Sequence, residues 1–225
     1  MLIFNGITYL EDVLYPFRGQ HWRLSAGRSA YWEEERALVI ADLHVGKSAH
    51  FRKAGIAVPA NIVQDDLYRL QQLITRYNPV RVIVVGDMFH SEANNEVQYF
   101  KIWRRQFPNI LFELISGNHD IMAPEVYEQL EIIVRPYLQL GDIYFVHDQK
   151  DQPKPLNGRY VLSGHIHPGV WMVGFGRQKL RLPCFYFGGE GAVLPAFSAF
   201  TGMYSVEPEA SSTVFVIAEK KIFRV

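Results

Sequence analysis

The chain has 225 residues, of which 48% are hydrophobic and 20% are charged, and this composition is typical of a globular protein and excludes a disordered one. Twenty-three Lys and Arg residues balance 23 Asp and Glu residues, and the zero net charge excludes a polybasic coat protein for nucleic acid, although not a local basic patch. The single cysteine, Cys184, excludes a disulfide framework and a zinc finger and favours a reducing compartment, so we expect a cytoplasmic protein. No signal peptide and no apolar run of membrane-helix length is found, so we expect no membrane partner.

Five short apolar runs stop at polar residues that can bind a metal ion. Runs of this length, rich in Val, Ile, Leu and aromatic residues, are typical of buried β-strands. They are residues 38–41 before Asp42 and His44, 82–85 before Gly86 and Asp87, 111–116 before Gly117, Asn118, His119 and Asp120, 143–146 before His147 and Asp148, and 160–163 before Gly164, His165 and His167. The sequence therefore predicts five strands that each end at a polar cluster.

Two amphipathic segments separate the first three of these strands. An apolar stripe over residues 63–77 predicts a helix that Pro59 begins and Asn78-Pro79 ends, and a second stripe covers residues 97–107. Alternating strands and helices are typical of an α/β layer with parallel pairing. After about residue 131 the helical periodicity disappears, which indicates a second, more antiparallel sheet. We expect one domain, residues 1–225, of two packed sheets with helices outside.

Ligands of open α/β sheets bind beyond the carboxyl ends of the strands, so we expect the polar clusters to meet at one edge. The candidate metal ligands are Asp42, His44, Asp87, Asn118, His147, His165 and His167. Their oxygen and nitrogen atoms suit Mn, Fe, Zn, Co or Ni, and their number exceeds what one tetrahedral ion needs. The sequence therefore predicts two divalent ions.

A pair of ions needs a shared anion between them, and Asp87, alone in its cluster, is the expected bridge. Asp42, His44 and one of the two C-terminal histidines would complete one ion. Asn118, His147 and the other histidine would complete the second. Because His165 and His167 are two residues apart on an extended chain, both project from one face, and each can reach a different ion.

His119 remains after the ligands are counted, and we expect it to act as a catalytic residue. It could protonate a leaving oxygen or stabilise charge in the transition state, with Asp120 holding its ring. The expected nucleophile is a metal-bound water or hydroxide. Two carboxylates against four positive charges leave the site positive, as a phosphate substrate requires.

The five motifs, in this order, resemble those of the calcineurin-like metallophosphoesterase superfamily. Further segments are similar to its ligase-associated DNA damage response endonuclease branch, the PdeM-type phosphoesterases. These segments are residues 41–47, 51–56 with Pro59, 86–91, 164–168, 194–197 and 200–202, and the resemblance runs from roughly residue 20 to 203. It implies a four-layer α/β/β/α sandwich of two mixed sheets with flanking helices.

The resemblance also implies a manganese-dependent phosphodiesterase that acts as an endonuclease on single-stranded DNA. It implies links to a DNA ligase, a helicase and an exonuclease of repair. The superfamily pattern places Asp42, His44, Asp87 and His167 on one ion. It places Asp87, Asn118, His147 and His165 on the other.

Several interpretations stay open in the sequence. His90, Lys47 and Arg52 are candidate substrate-binding residues, with a surface or structural role as the alternative. Arg177, Lys179 and Arg181 alternate on an expected strand, which could be a track for nucleic acid or a solvated face. The alternative functions are a phosphomonoesterase or cyclic-nucleotide phosphodiesterase of the same superfamily and, more remotely, an inactive binding scaffold.

Overall fold

The structure is a computed structural model and describes residues 10–48, 51, 55, 58, 61–90, 95–152, 154, 156–174, 176, 178–189 and 191–225. Arg52, Pro59 and Arg177, to which the sequence assigns roles, lie outside the described residues. The described helices are α1 (Ile62–Tyr77), α2 (Asn95–Arg104) and α3 (Pro124–Gln129). The described strands are β1 (Asp12–Phe17), β2 (Gln20–Ser25), β3 (Ser29–Trp32), β4 (Ala37–Ala41), β5 (Arg81–Val85), β6 (Leu111–Ile115), β7 (Ile132–Arg135), β8 (Leu138–Leu140), β9 (Ile143–Phe145), β10 (Tyr160–Ser163), β11 (Pro168–Val173), β12 (Lys179–Phe187), β13 (Gly191–Val193), β14 (Tyr204–Ser205), β15 (Thr213–Ala218) and β16 (Lys221–Arg224).

The first sheet contains strands β1 to β7 in chain order. The pairs from β1 to β4 are antiparallel, whereas β4, β5, β6 and β7 are parallel. In the parallel part, Ala41 pairs with Val85, and Val85 pairs with Ile115. The carboxyl ends of β4, β5 and β6 are therefore level with one another.

The second sheet has the strand order β14-β11-β12-β13-β10-β9-β8, and β15 and β16 extend it from β12. Strands β9, β10 and β13 are parallel, while β11 and β12 form an antiparallel hairpin. The five strands expected from the apolar runs are confirmed as β4, β5, β6, β9 and β10. The second sheet has five antiparallel and three parallel described pairs, against three of each in the first, so it is the more antiparallel of the two, as the loss of helical periodicity indicated.

Helix α1 confirms the amphipathic stripe. Its apolar residues Val63, Leu67, Leu70 and Ile74 are buried, and Asn78 ends it in a left-handed conformation while donating a backbone hydrogen bond of 2.9 Å to Ile74. Asp66 is also buried, although it carries a carboxylate. Burying the apolar stripe supplies most of the stability of such a helix.

Two main cores define the layers. One core joins α1, α2 and α3 to the outer face of β4 to β7, and the other fills the space between the two sheets. The α/β class with two packed mixed sheets is confirmed. On the outer face of the second sheet, where an α layer was expected, the described residues form a small apolar cluster around Val170, Cys184, Val214 and Val216. Helices α1, α2 and α3 pack on the first sheet.

No helix among the described residues is long and apolar enough to cross a membrane.

Candidate metal centre

The polar residues that follow β4, β5, β6, β9 and β10 meet at one edge of the sandwich. A hydrogen bond joins the two sheets there: the backbone N–H of His165 donates to Asp42 Oδ2 at 3.0 Å. Asp42 follows the first sheet and His165 follows the second. The site is therefore assembled across the interface between the sheets.

One group of ligand atoms belongs to Asp42, His44 and His167, which lie within 4.8 Å of one another. The Nε2 atoms of His44 and His167 are 3.2 Å apart, and His167 Nε2 is 3.8 Å from Asp42 Oδ2. His44 and Asp42 are buried. Two imidazole nitrogens and a carboxylate oxygen that converge in this way are a suitable donor set for a transition metal ion.

A second group is formed by Asp42, Asp87 and His147, again within 4.8 Å. His147 Nε2 lies 3.6 Å from Asp87 Oδ1, 3.0 Å from Asn118 Oδ1 and 3.0 Å from His165 Nδ1. All seven ligands expected from the sequence are thus brought together. Asp42 is the residue that both groups share, while the bridging role of Asp87 stays a prediction.

Five of the expected ligands have an unusual backbone. Asp42, His44, Asp87, His165 and His167 have φ values of 51°, 53°, 39°, 70° and 49°. Only a few per cent of non-glycine residues adopt positive φ, and each such conformation costs free energy that the surrounding structure must supply. The concentration of these conformations in the ligands indicates that the loops are held for a function.

Main-chain hydrogen bonds hold these loops beyond the strand ends. His44 N donates to Asp87 O at 2.9 Å, Val45 N donates to Met88 O at 2.9 Å, and His90 N donates back to Val45 O at 2.8 Å. The parallel ladder of β4 and β5 therefore continues through the first two motifs. Both ligand-bearing loops are fixed relative to each other without any side chain.

The electrostatics of the candidate ligands suit the binding of cations. Burial lowers the pKa of His44 to about 2 and that of His167 to about 4, and burial also lowers the pKa of His147. These imidazoles are neutral near pH 7, so each has a lone pair to offer a metal ion. Burial, and then the charge of Asp87, raises the pKa of Asp42 well above its usual range, and a bound cation would remove that cost.

Three buried polar atoms of the site lack a hydrogen-bond partner within the described part of the chain. They are Asp42 Oδ1, His44 Nδ1 and His147 Nδ1. Asp42 Oδ1 and His147 Nδ1 are 3.8 Å apart. Buried polar atoms are normally satisfied, so unpaired ones among converging donors fit a site for divalent ions.

His119 lies beside the ligands with its side chain 43% exposed. Its backbone N–H donates to Asp87 Oδ1 at 3.0 Å, and its Nε2 is 4.0 Å from Asp87 Oδ2. The rings of His90 and His119 have centroids 4.4 Å apart, so His90 also faces the site. Lys47 is close enough for its charge to lower the pKa values of His44 and His167.

Asp120 contacts the backbone of two loops. Its Oδ1 accepts from Phe89 N and its Oδ2 accepts from Gly117 N, both at 2.9 Å. Each oxygen thus accepts from a main-chain donor, and the expected contact of Asp120 with the ring of His119 stays a prediction. Asp120 thus connects the loop after β5 to the loop after β6, and burial raises its pKa to about 7.

A segment between β13 and β14 supports the site, and sequence reasoning assigned it no role. His167 Nδ1 is 3.0 Å from Gly202 O, a contact that orients the ring so that Nε2 faces Asp42. Arg69 of α1 contacts both Asp66, at 2.8 Å, and Phe197 O. The signal that could have found this support is Asp66, a carboxylate on the apolar side of an amphipathic helix.

Gly86 shows why the second motif begins with glycine. Its φ is +78°, and a Cβ at this position would lie 1.7 Å from His147 Nδ1. Gly117 is equally confined, since a Cβ there would lie 2.2 Å from Asp87 Oδ1. The motif glycines therefore leave room for the ligand side chains themselves.

We predict that Gly86→Ala prevents a metal ion from binding at His147, because the new methyl group displaces that ring. Metal content after dialysis, measured by mass spectrometry, should fall relative to the wild type. Gly158→Ala is the matched control, since Gly158 has φ +80° and nothing within 4 Å of a Cβ. Equal metal loss in both variants would contradict the steric argument.

The burial of Asp66 predicts how the free energy of unfolding changes with pH. Burial raises its pKa, so the native protein binds this proton more readily than the unfolded chain does. The resulting stability is present in acid and is lost as the pH rises through the native pKa. The free energy of unfolding of the wild type minus that of Asp66→Asn should therefore be greater at pH 5 than at pH 8, as measured by urea denaturation with a chelator present.

Asp65→Asn is the control for this measurement, because Asp65 carries the same charge on the exposed side of the same helix. A pH trend of the same size in Asp65→Asn would show that burial of Asp66 is not the cause.

Comparisons with known proteins identify the family of this chain. The family model of the calcineurin-like phosphoesterases matches residues 35–159. The solved structure of the Pseudomonas putida nuclease MPE is 30% identical, with a TM-score of 0.80, and the alignment covers 96% of this chain and 100% of that one. The phosphoesterase YfcE from E. coli is 13% identical, with a TM-score of 0.47 and coverage of 84% and 97%. A search of the curated proteins found no match.

The matched family segment contains β4, β5, β6 and β9 and the first four of the five ligand motifs. The likeness to the nuclease extends over both sheets. The chain belongs to the calcineurin-like phosphoesterase family and is a metal-dependent phosphoesterase.

Proposed function

We propose that this protein is a manganese-dependent endonuclease that hydrolyses phosphodiesters of single-stranded DNA with two metal ions. The observation that carries the proposal is the pair of adjacent ligand groups that share Asp42, with the exposed ring of His119 beside them. The similarity to a nuclease over 96% of the chain favours a nucleic-acid diester over other phosphate esters. Residues 1–225 would act as one domain.

In this proposal Asp42, His44, Asp87 and His167 hold one ion, and Asp87, Asn118, His147 and His165 hold the other. When bound, the ions would polarise the phosphoryl oxygens and lower the pKa of the attacking water. His119 delivers a proton from Nε2 to the leaving oxygen, which its exposure allows. Lys47 and His90, which flank the ligands, attract and orient the phosphate. Arg52, outside the described residues, stays a sequence-based candidate for the same role.

The biological setting is also part of the proposal. A DNA ligase, a helicase and an exonuclease of repair are the proposed partners, because residues 41–47, 86–91, 194–197 and 200–202 resemble the ligase-associated branch. The proposed location is the cytoplasm, which agrees with a buried, unpaired Cys184 whose pKa burial raises to about 12.

We predict that His119→Ala lowers turnover by roughly 10²- to 10⁴-fold, the usual worth of a general acid, while two ions stay bound. Asp87→Asn should instead lose metal, because a ligand carboxylate is removed. Steady-state kinetics on a labelled oligonucleotide and metal analysis of the same samples separate the two effects. His21→Ala is the control, since His21 is a half-exposed histidine on β2 whose ring contacts Glu34. Equal metal loss in His119→Ala and Asp87→Asn would contradict the role of His119.

Circular single-stranded DNA tests the endonuclease directly, because only internal cleavage opens a circle. We expect linear products with Mn²⁺, with Mg²⁺ and Zn²⁺ compared in parallel on an agarose gel. Hydrolysis of p-nitrophenyl phosphate or a cyclic nucleotide, with the circle left intact, would contradict the proposal and favour a phosphomonoesterase or cyclic-nucleotide phosphodiesterase. Hydrolysis of none of these substrates by metal-loaded protein would favour a binding scaffold.

A further inference from the structure

The hairpin of β11 and β12 begins directly after the ligand His167 and presents a tryptophan to solvent. Trp171 is 51% exposed, whereas Trp22, Trp32 and Trp103 are 2%, 3% and 4% exposed. Trp171 is therefore the tryptophan whose ring face is open to a ligand.

Cations share the face of Trp171. The register pairs Trp171 with Arg181 and Val173 with Lys179, and directly paired residues of an antiparallel ladder project to the same side. The guanidinium carbon of Arg181 lies 5.4 Å from the centroid of the Trp171 ring. Val173 and Lys179 are exposed at the far end of the hairpin. Trp171, Val173, Lys179 and Arg181 are named here the hairpin track.

Gly169 lets Arg181 lie flat along this face. A Cβ on Gly169 would approach Arg181 Cγ to 3.0 Å, so the arginine stem occupies the space that a side chain would fill. Arg181 Nε is buried and has no hydrogen-bond partner among the residues that the structure describes. The stem of Arg181 therefore packs over Gly169, and its guanidinium lies beside the Trp171 ring.

The hairpin track is continuous with the metal centre. Pro183, the partner of Gly169 on this face, lines the same cavity as His167 and Arg28. Trp171 is four residues beyond His167, which is roughly 13 Å at the usual rise of a strand. A chain of a few nucleotides with its scissile phosphate at the metal centre could reach the ring.

We propose that the hairpin track binds the single strand beside the scissile phosphate, with a base stacked on Trp171 and phosphates held by Arg181 and Lys179. The inference rests on the proposed function and specifies how that site holds a polynucleotide. Aromatic rings between cations are the usual means of holding single strands, and the face of a base is accessible only when it is unpaired. A second copy of this chain fits less well, because two such tracks in contact would oppose their own cations.

The test measures the affinity of full-length protein for a fluorescein-labelled 20-mer of thymidine by anisotropy, in EDTA so that the strand stays intact. Trp171→Ala should weaken binding by at least about fivefold, and Trp171→Phe, which keeps an aromatic face, should stay close to the wild type. Lys179→Ser should lower the slope of log K against log salt by about 0.7, as loss of one phosphate contact to a single strand requires. Unlabelled 20-mer should quench the fluorescence of the exposed Trp171 in the wild type.

Leu180→Ala is the matched control. Leu180 is 61% exposed on the opposite face of the same hairpin, where its cross-strand partner is Met172. Unchanged affinity in Trp171→Ala, or an equal loss in Leu180→Ala, would overturn the hairpin track. The hairpin track would also be overturned if Trp171→Ala weakened the binding of duplex DNA as much as that of the single strand. Dissociation of a dimer by Trp171→Ala, observed by sedimentation, would overturn it too and would assign the face to a second copy.

These outcomes are independent of the proposed activity. If the wild type hydrolyses bis-p-nitrophenyl phosphate with Mn²⁺ and Trp171→Ala binds the 20-mer as tightly as the wild type does, only the hairpin track is overturned. Wild-type protein that hydrolyses no diester with any of the three metal ions overturns the proposed function, whatever the binding assay shows.

Discussion

Backbone pairing between parallel strands positions the whole site. Ala41, Val85 and Ile115 stand level across β4, β5 and β6, and the ladder continues past the strand ends through main-chain hydrogen bonds of 2.8–2.9 Å that join the first and second motifs. These bonds hold ligand residues at positive φ, which an isolated loop would abandon for a more favourable conformation. The rigidity of the sheet therefore offsets the strain that places the ligand side chains within reach of one another.

The same constraint creates an electrostatic cost that bound cations would relieve. Asp42 is 0% exposed, and its burial and then the charge of Asp87, which is 3% exposed, raise the pKa of the Asp42 carboxyl. Burial lowers the pKa of His44 to about 2 and that of His167 to about 4, so these two imidazoles are neutral near pH 7 and do not supply the missing positive charge. Two divalent ions would supply it, and their excess charge over two carboxylates leaves a positive field for a phosphate even though the chain has zero net charge.

The sequence carries the ligands and the strands but not the geometry that joins them. An apolar run followed by Asp, His or Asn is a local signal, and so is the stripe of α1, because each depends only on neighbours in the chain. The positive φ of His44, the two backbone donors of Asp120 and the contact of His167 with Gly202 depend on residues distant in sequence.

Division of the ligands between the sheets links folding to activity. The first sheet supplies Asp42, His44 and Asp87, the second supplies the histidines of the last motif, and the 3.0 Å bond from His165 N to Asp42 Oδ2 crosses between them. Residues after β13 complete the link, since Leu194 N donates to Ser163 O of one sheet and Phe197 N to Ala41 O of the other. A change that loosens the apolar interface between the sheets therefore separates the ligands as well, so metal affinity and the packing of the sandwich interior should vary together.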